Sequence, residues 1–326
     1  MAEAVAETPP ARGFGLRAHL IATASWVACR LPEAPLLAVA DLVGRASYRL
    51  ATERRRRARR NLTRVVRWLA DHELGSAEVR AAAADGRALS RLVREAFKFW
   101  ARYYVQLARA PIVNKAYLQR WLVVETPEVL EETLGTPGGR LFVGLHMGWY
   151  ELPALFAANR RGEATIVPSE TLGDPQLQAY MVRTRGQMGL ELIDLPSAKR
   201  LLKQSILDGR VVGLLGDRDI TGGGIDTELF GATLPLAAGP ALLAMDTGVV
   251  PHVFGVWRDP SGVYHVAAEA VPFPTEGTRR ERANAYLAAE ARAFEHHVAR
   301  APEQWLAIFH PLWPDLEAGH GAEAAR

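Results

Sequence analysis

Leu141-Phe142-Val143-Gly144-Leu145-His146-Met147-Gly148-Trp149-Tyr150-Glu151 is a short apolar run that ends in a histidine, a glycine and an acid. Its length and apolar content predict a buried strand over Leu141–Leu145, followed by a helix from Trp149 to Arg160. The same pattern returns at Ala164–Val167, Leu190–Leu195 and Val211–Leu215, with helices expected over Pro175–Met188 and Ser197–Asp208 between them. Strands alternating with helices of about 10–15 residues build βαβ units and a largely parallel sheet. Val249–Trp257 and Val263–Val271, joined around Asp259-Pro260-Ser261-Gly262, predict a later hairpin, and a helix from Thr278 to Ala299 follows. The fold class is therefore α/β, a central mostly parallel or mixed sheet flanked by helices.

Upstream of Gly138 the period changes. Leu89, Leu92, Val93, Ala96, Phe97, Trp100 and Tyr104 recur at three- and four-residue steps, which makes one apolar stripe on a helix from Gly86 to Ala110. The expected division is residues 1–70 as interfacial and basic helices, then 71–315 as the α/β domain. Within that domain 71–138 is helical and 139–315 is the strand–helix core, and 316–326 is a loose tail. The helical start belongs to the same unit as the core and is not an independent domain.

The chain has 326 residues and a net charge of +3, but the charge is unevenly placed. Between Arg45 and Arg67 lie ten arginines and one acid, Glu53, a local balance of +9, so the other residues sum to 3 − 9 = −6. Such asymmetry points to an anionic partner surface. No nucleic-acid-reading module surrounds the arginines, which leaves an anionic membrane or a plainly solvated face. Two short apolar segments carrying Trp26 precede Arg54, Arg55, Arg56, Arg57, Arg59 and Arg60, the composition of helices that lie in a membrane interface. Glu3 and Glu7 precede any arginine, the reverse of a secretory leader, and no run reaches the roughly 20 apolar residues of a spanning helix. A single cysteine, Cys29, excludes a disulfide scaffold and zinc held on paired thiolates.

Two strand ends carry the chemistry. His146 falls at the carboxyl end of a buried strand, where open α/β sheets gather ligands, and Glu151 lies close enough to fold back toward its ring. A carboxylate on one ring nitrogen leaves the other free to take a proton from a hydroxyl. The run Val211-Val212-Gly213-Leu214-Leu215-Gly216-Asp217-Arg218-Asp219 ends a second buried strand in three charges, which a site or a salt-bridge network must receive. Gly239-Pro240 opens a helix whose free N–H groups suit an anion. No Gly-x-Ser-x-Gly elbow, Walker loop, His-Glu-x-x-His or Gly-x-Gly-x-x-Gly occurs.

The ordered series His146-x4-Glu151, Arg185-x3-Gly189-x-Glu191, Gly216-Asp217-Arg218-Asp219, Phe230-Gly231, Ala238-Gly239-Pro240 and Thr247-Gly248 resembles the bacterial lipid A biosynthesis acyltransferase superfamily, and its phosphatidylinositol mannoside branch more nearly. The likeness runs from Arg54 to Pro314 and includes Pro302-Glu303-Gln304-Trp305 and Pro311-Leu312-Trp313-Pro314. It implies transfer of a fatty acyl group from acyl-CoA or acyl carrier protein to a hydroxyl of a glycolipid or lysolipid, by a peripheral protein at the cytoplasmic face of the membrane. It implies His146, Asp217 and Glu151 as catalytic groups, and Arg185, Arg218, Asp219 and Asp246 as substrate-binding groups. No cofactor or metal is expected, because a thioester is already activated. An esterase or lipid hydrolase using the same histidine and carboxylate is the alternative. The chain departs from the superfamily's usual His-x-Gly-Asn-Trp-Asp/Glu, reading His146-Met147-Gly148-Trp149-Tyr150-Glu151, and has Asp217 where the mannoside branch has Glu.

Overall fold

The computed structural model describes residues 16–220 and 222–317. The leader reading at Glu3 and Glu7 and the tail from 318 onward lie outside them. In chain order the helical region comprises α1 (Leu16–Arg30), α2 (Glu33–Leu50), α3 (Thr52–Asp71), α4 (Ala77–Ala84), α5 (Gly86–Arg109) and α6 (Lys115–Trp121). A short strand β1 (Leu122–Val124) and α7 (Pro127–Gly135) lead to β2 (Arg140–Gly144), α8 (Leu152–Arg161), β3 (Thr165–Ser169), α9 (Pro175–Gln187), β4 (Leu190–Asp194), α10 (Leu195–Leu207) and β5 (Val211–Leu215). The chain ends through β6 (Ile225–Leu229), β7 (Ala232–Leu236), α11 (Gly239–Thr247), β8 (Pro251–Arg258), β9 (Tyr264–Ala270) and α12 (Arg279–Val298).

Among the described residues seven strands form one sheet in the order β1-β9-β8-β2-β5-β3-β4. Every pair is parallel except the β8–β9 hairpin. Strand alternation gives the sheet two different faces. Leu141, Val143 and Val212 enter a core shared with α3, α5 and α12, through Leu62, Val65, Phe97 and Phe294. Phe142, Val211 and Phe254 point the other way, toward Leu152 and Leu155 of α8 and Leu130 and Leu134 of α7.

Local signals set the element ends. Asp85 caps α5 through bonds from the Arg87 and Ala88 N–H groups, and Thr278 with Glu281 forms a capping box on α12. The β6–β7 hairpin was not legible in the sequence. Its two-residue turn places Phe230 at φ 51° and Gly231 at φ 70°, a left-handed pair usually made by Asn-Gly. Phe230 is held there because its N–H donates to Glu295 at 2.7 Å and its ring packs against Trp68, Trp305 and Trp313.

The arginine row is largely spent on the protein itself. Arg54 stacks over Trp100 and Phe309, Arg55 donates to the Tyr48 carbonyl, and Arg59 donates to Ser90. Arg57 and Arg60 both reach Glu317, a residue the sequence places in the loose tail, and Arg64 binds Asp315. Arg56 pairs with Glu53 and is the exposed member of the predicted membrane-binding set, apart from Trp26. The expected cationic face is therefore, in the main, an intramolecular clamp on the C-terminal segment. Arg45, Arg49, Arg56 and Arg67 remain exposed, and beside them an apolar surface faces outward. Leu20, Trp26, Val39, Leu42 and Leu50 of α1 and α2 are exposed, Trp26 by 57% and Leu42 by 65%. No helix among the described residues is long and apolar enough to cross a membrane.

Candidate active site

The parallel register of β2 and β5 aligns Gly144 with Leu215. His146 and Asp217 each lie two residues beyond, so the sheet brings them side by side where both strands end. His146 Nδ1 is 2.7 Å from Asp217 Oδ1, and the other carboxylate oxygen accepts from the His146 backbone N–H at 3.0 Å and from Trp305 Nε1 at 2.7 Å. Asp217 is completely buried. Burial alone would raise its pKa, but the adjacent imidazole and the three donors outweigh it and hold the carboxyl below the usual range. An ionised carboxylate only accepts, so Nδ1 carries the proton and Nε2 is left as the basic nitrogen.

The backbone around His146 is fixed as well. Its carbonyl accepts from Leu306 N–H at 2.7 Å, and Met147 bridges to Trp305. Gly148, at φ 60°, turns the loop so tightly over β8 that a Cβ there would lie 2.4 Å from the Val256 carbonyl oxygen.

His146 opens on a cavity of about 520 Å³ between the sheet and α8. The mouth is polar, with Tyr150, Glu151, Arg185, Arg218 and His310, and the depth is apolar, with Phe142, Phe156, Val167, Val211 and Phe254. His310 stands just before Pro311. It faces the same space as His146, and burial, followed by the nearby Arg218, His146 and Arg54, pushes it down to about 4, so it is neutral at physiological pH. Arg218 lies at the mouth with no ion pair or hydrogen bond among the described residues.

Glu151 immediately precedes α8, and its hydrogen bond and ion pair go to Tyr103 and Arg185, not to His146. Oε1 accepts from the Tyr103 hydroxyl at 2.8 Å and pairs with Arg185 at 3.6 Å, and Oε2 has no partner. Burial pushes this carboxyl up, against the opposing pull of Arg185 and Tyr103. Tyr103 and Tyr150 stack with ring centroids 5.1 Å apart and share a hydrogen bond between their hydroxyls. Asp217, then, and not Glu151, orients the imidazole, and Glu151 with Arg185 builds the adjoining wall.

Two expected substrate-binding acids are placed elsewhere. Asp219 caps the loop after β5, accepting from the Gly222 and Gly224 N–H groups at 3.0 and 2.8 Å. Asp246, near the end of α11, pairs with Arg279 at 2.8 Å and Lys203 at 3.8 Å, and does not line the cavity. The role of Trp305 as a donor to Asp217 had no signal in the strand pattern, because it comes from a segment 88 residues away.

A buried carboxylate, an imidazole it orients and an apolar cavity behind them are the parts an acyl-transferring enzyme needs, and the comparisons agree. The family model described as bacterial lipid A biosynthesis acyltransferase matches residues 15–314, and the chain belongs to that family and is an acyltransferase. It is similar to the phosphatidylinositol mannoside acyltransferase of Mycolicibacterium smegmatis, 26% identical over 230 residues, covering 68% of this chain and 72% of that one. It is likewise similar to the phosphatidylinositol mannoside acyltransferase of Mycobacterium tuberculosis, 26% identical over 231 residues, covering 69% of this chain and 71% of that one.

Proposed function

We propose that this protein transfers a fatty acyl group from a thioester, acyl-CoA or acyl carrier protein, to a hydroxyl of a membrane glycolipid of the phosphatidylinositol mannoside kind. The observation that carries the reading is the 2.7 Å bond between His146 Nδ1 and Asp217 at the mouth of the apolar cavity. The acceptor class is drawn from the names of the mycobacterial relatives.

In the proposed reaction the thioester lies with its acyl chain in the cavity and its carbonyl beside His146. His146 Nε2 takes the proton of the acceptor hydroxyl as that oxygen attacks the thioester carbon. Asp217 stabilises the imidazolium that forms. The carbon–sulfur bond breaks, and the departing thiolate recovers the proton from His146, which leaves an ester and a free thiol. Arg218 is the cation suited to the developing oxyanion or to a phosphate of either substrate. Arg185 is held toward Glu151 and supports the wall. The exposed apolar residues of α1 and α2 support a peripheral seat on the membrane, at the cytoplasmic face where acyl-CoA and carrier protein are found.

The test is to incubate the protein with palmitoyl-CoA, or palmitoyl carrier protein, and vesicles containing phosphatidylinositol mannosides, and to follow lipids and free fatty acid by mass spectrometry. The expected result is one added acyl chain on the glycolipid, abolished in His146→Ala. Release of free palmitate with no acylated lipid would replace this reading with that of a hydrolase.

A further inference from the structure

Gly213 lies in the middle of β5 and pairs with Phe142 of β2. Glycine in a strand interior weakens the strand, and it usually marks a close approach of other atoms. Gly144 has that reason, since a Cβ on it would lie 2.3 Å from the Phe254 ring. Gly213 does not. A Cβ there would meet Val167 Cγ1 at 3.6 Å and Thr165 Cγ2 at 3.7 Å, ordinary contacts, and its backbone is not left-handed. The protein leaves the space above Gly213 open, and that space is the cavity.

The two-residue alternation of a strand puts Val211, Gly213 and Leu215 on one face, and all three line the cavity. Leu215 is beside the mouth, two residues before Asp217, while Val211 is at the far end with Leu130 and Leu134 of α7. Gly213 is midway, about 7 Å from each at ~3.3 Å per residue. An extended chain advances about 1.2 Å per bond, as three backbone bonds span ~3.5 Å. The stretch beyond Gly213 therefore holds roughly five carbons.

Building on the proposed acyl transfer, we infer that Gly213 is the residue that sets acyl-chain length: its missing side chain lets a straight acyl group pass the middle of β5 and reach the Val211 end of the cavity. A side chain at this position divides the cavity and leaves the upper half for shorter chains.

The experiment measures the binding of thioesters with 8 to 18 acyl carbons, on coenzyme A and on acyl carrier protein, to the wild type, Gly213→Ala and Gly213→Leu. No acceptor lipid is required. Each methylene buried should tighten binding about fourfold. In Gly213→Leu the gain should stop roughly five carbons earlier than in the wild type, with the shortest donors bound as in the wild type. Gly213→Ala fits without a clash and should lose affinity only for the longest donors, so the inference is tested even where the leucine variant fails to fold. Identical chain-length profiles in the wild type and Gly213→Ala, or in a folded Gly213→Leu, overturn it. Failure of the wild type to bind any thioester overturns the acyl-transfer reading and this inference with it. Binding with the expected length shift but no ester product leaves the length role standing and removes only the transfer.

Discussion

His146 Nδ1 and Asp217 Oδ1 lie 2.7 Å apart although 71 residues separate them in the chain. The carboxylate is buried, accepts from three donors and is ionised, so it fixes the imidazole in the tautomer whose Nε2 is basic. An amide in its place cannot do this. Either its oxygen faces Nδ1 and its NH2 opposes the His146 and Trp305 N–H groups, or it is turned over and drives the ring proton to Nε2. Asp217→Asn should therefore lower kcat by about 10²–10⁴, close to the loss in His146→Ala, and the double variant should be little worse than either. Steady-state rates on variants shown to be folded by circular dichroism check this. An Asp217→Asn enzyme within a few-fold of wild type would remove Asp217 from the mechanism.

Glu290 lies fully buried on α12 behind Gly216, with the Tyr286 hydroxyl as its polar neighbour, and burial pushes it up to about 8. In the unfolded chain it ionises near its ordinary value of 4.5. Between those two pH values the folded state keeps a proton that the unfolded state has released, so stability falls as pH rises, by up to ~1.4 kcal/mol per unit. Asp217, whose pKa is lowered, acts in the opposite sense and below pH 3.8, outside this window. Glu303, pushed up to about 7, acts in the same sense, while His297 and His310, pushed down to about 4, act oppositely below about pH 6.5. Glu290→Gln should therefore remove only this group's share of the slope, and its melting temperature should gain on wild type progressively from pH 5 to pH 8. Parallel melting curves across that range would show that the folded carboxyl is not held protonated.

Gly44 is where α2 crosses α5. A Cβ on it would lie 2.7 Å from both the Lys98 Cα and the Phe97 carbonyl oxygen, and backbone atoms cannot swing aside. Gly44→Ala gains about 1 kcal/mol of helix propensity. Overpacking typically costs about 1–3 kcal/mol, and here the clash is with a helix backbone, so the net effect should be a loss. The urea midpoint should fall. A midpoint equal to or above wild type would mean that α2 is not docked this closely.

Membrane attachment should depend on the apolar residues of α1 and α2 more than on the arginine row. Trp26→Glu combined with Leu42→Glu should reduce vesicle binding at least tenfold with an unchanged melting temperature, since both side chains are exposed. Arg57→Ala with Arg60→Ala should instead weaken the hold on Glu317 and lower stability modestly, because these ion pairs are only partly buried. Sedimentation with vesicles of graded anionic content separates the two. Loss of binding in the arginine pair alone would restore the basic face as the anchor.

The α/β core was legible because buried parallel strands are short continuous apolar runs, and β2 to β5 fall where those runs lie. The β6–β7 hairpin was not, because its turn uses Phe230 in a left-handed conformation sustained only by Glu295 and three distant tryptophans. His297 is a second instance. It lies near the end of a charged helix, where composition suggests the surface, yet it is buried, with Gly255 of β8 too close for a Cβ at that position. Helical period gives the face of a helix, but not whether a neighbouring strand covers it.

By itself the sequence determined the strand–helix alternation, the placing of His146 and Asp217 just past two strand ends, and the concentration of arginines in α3, since each of these is a matter of local composition and period. Only the tertiary structure decided that Asp217 and not Glu151 meets the imidazole, that Trp305 completes the carboxylate's bonds, and that most of the arginines turn inward. The reason is register: once β2 and β5 pair with Gly144 opposite Leu215, residues two places further along both strands must meet, and no pattern along a single chain states which strands will be neighbours.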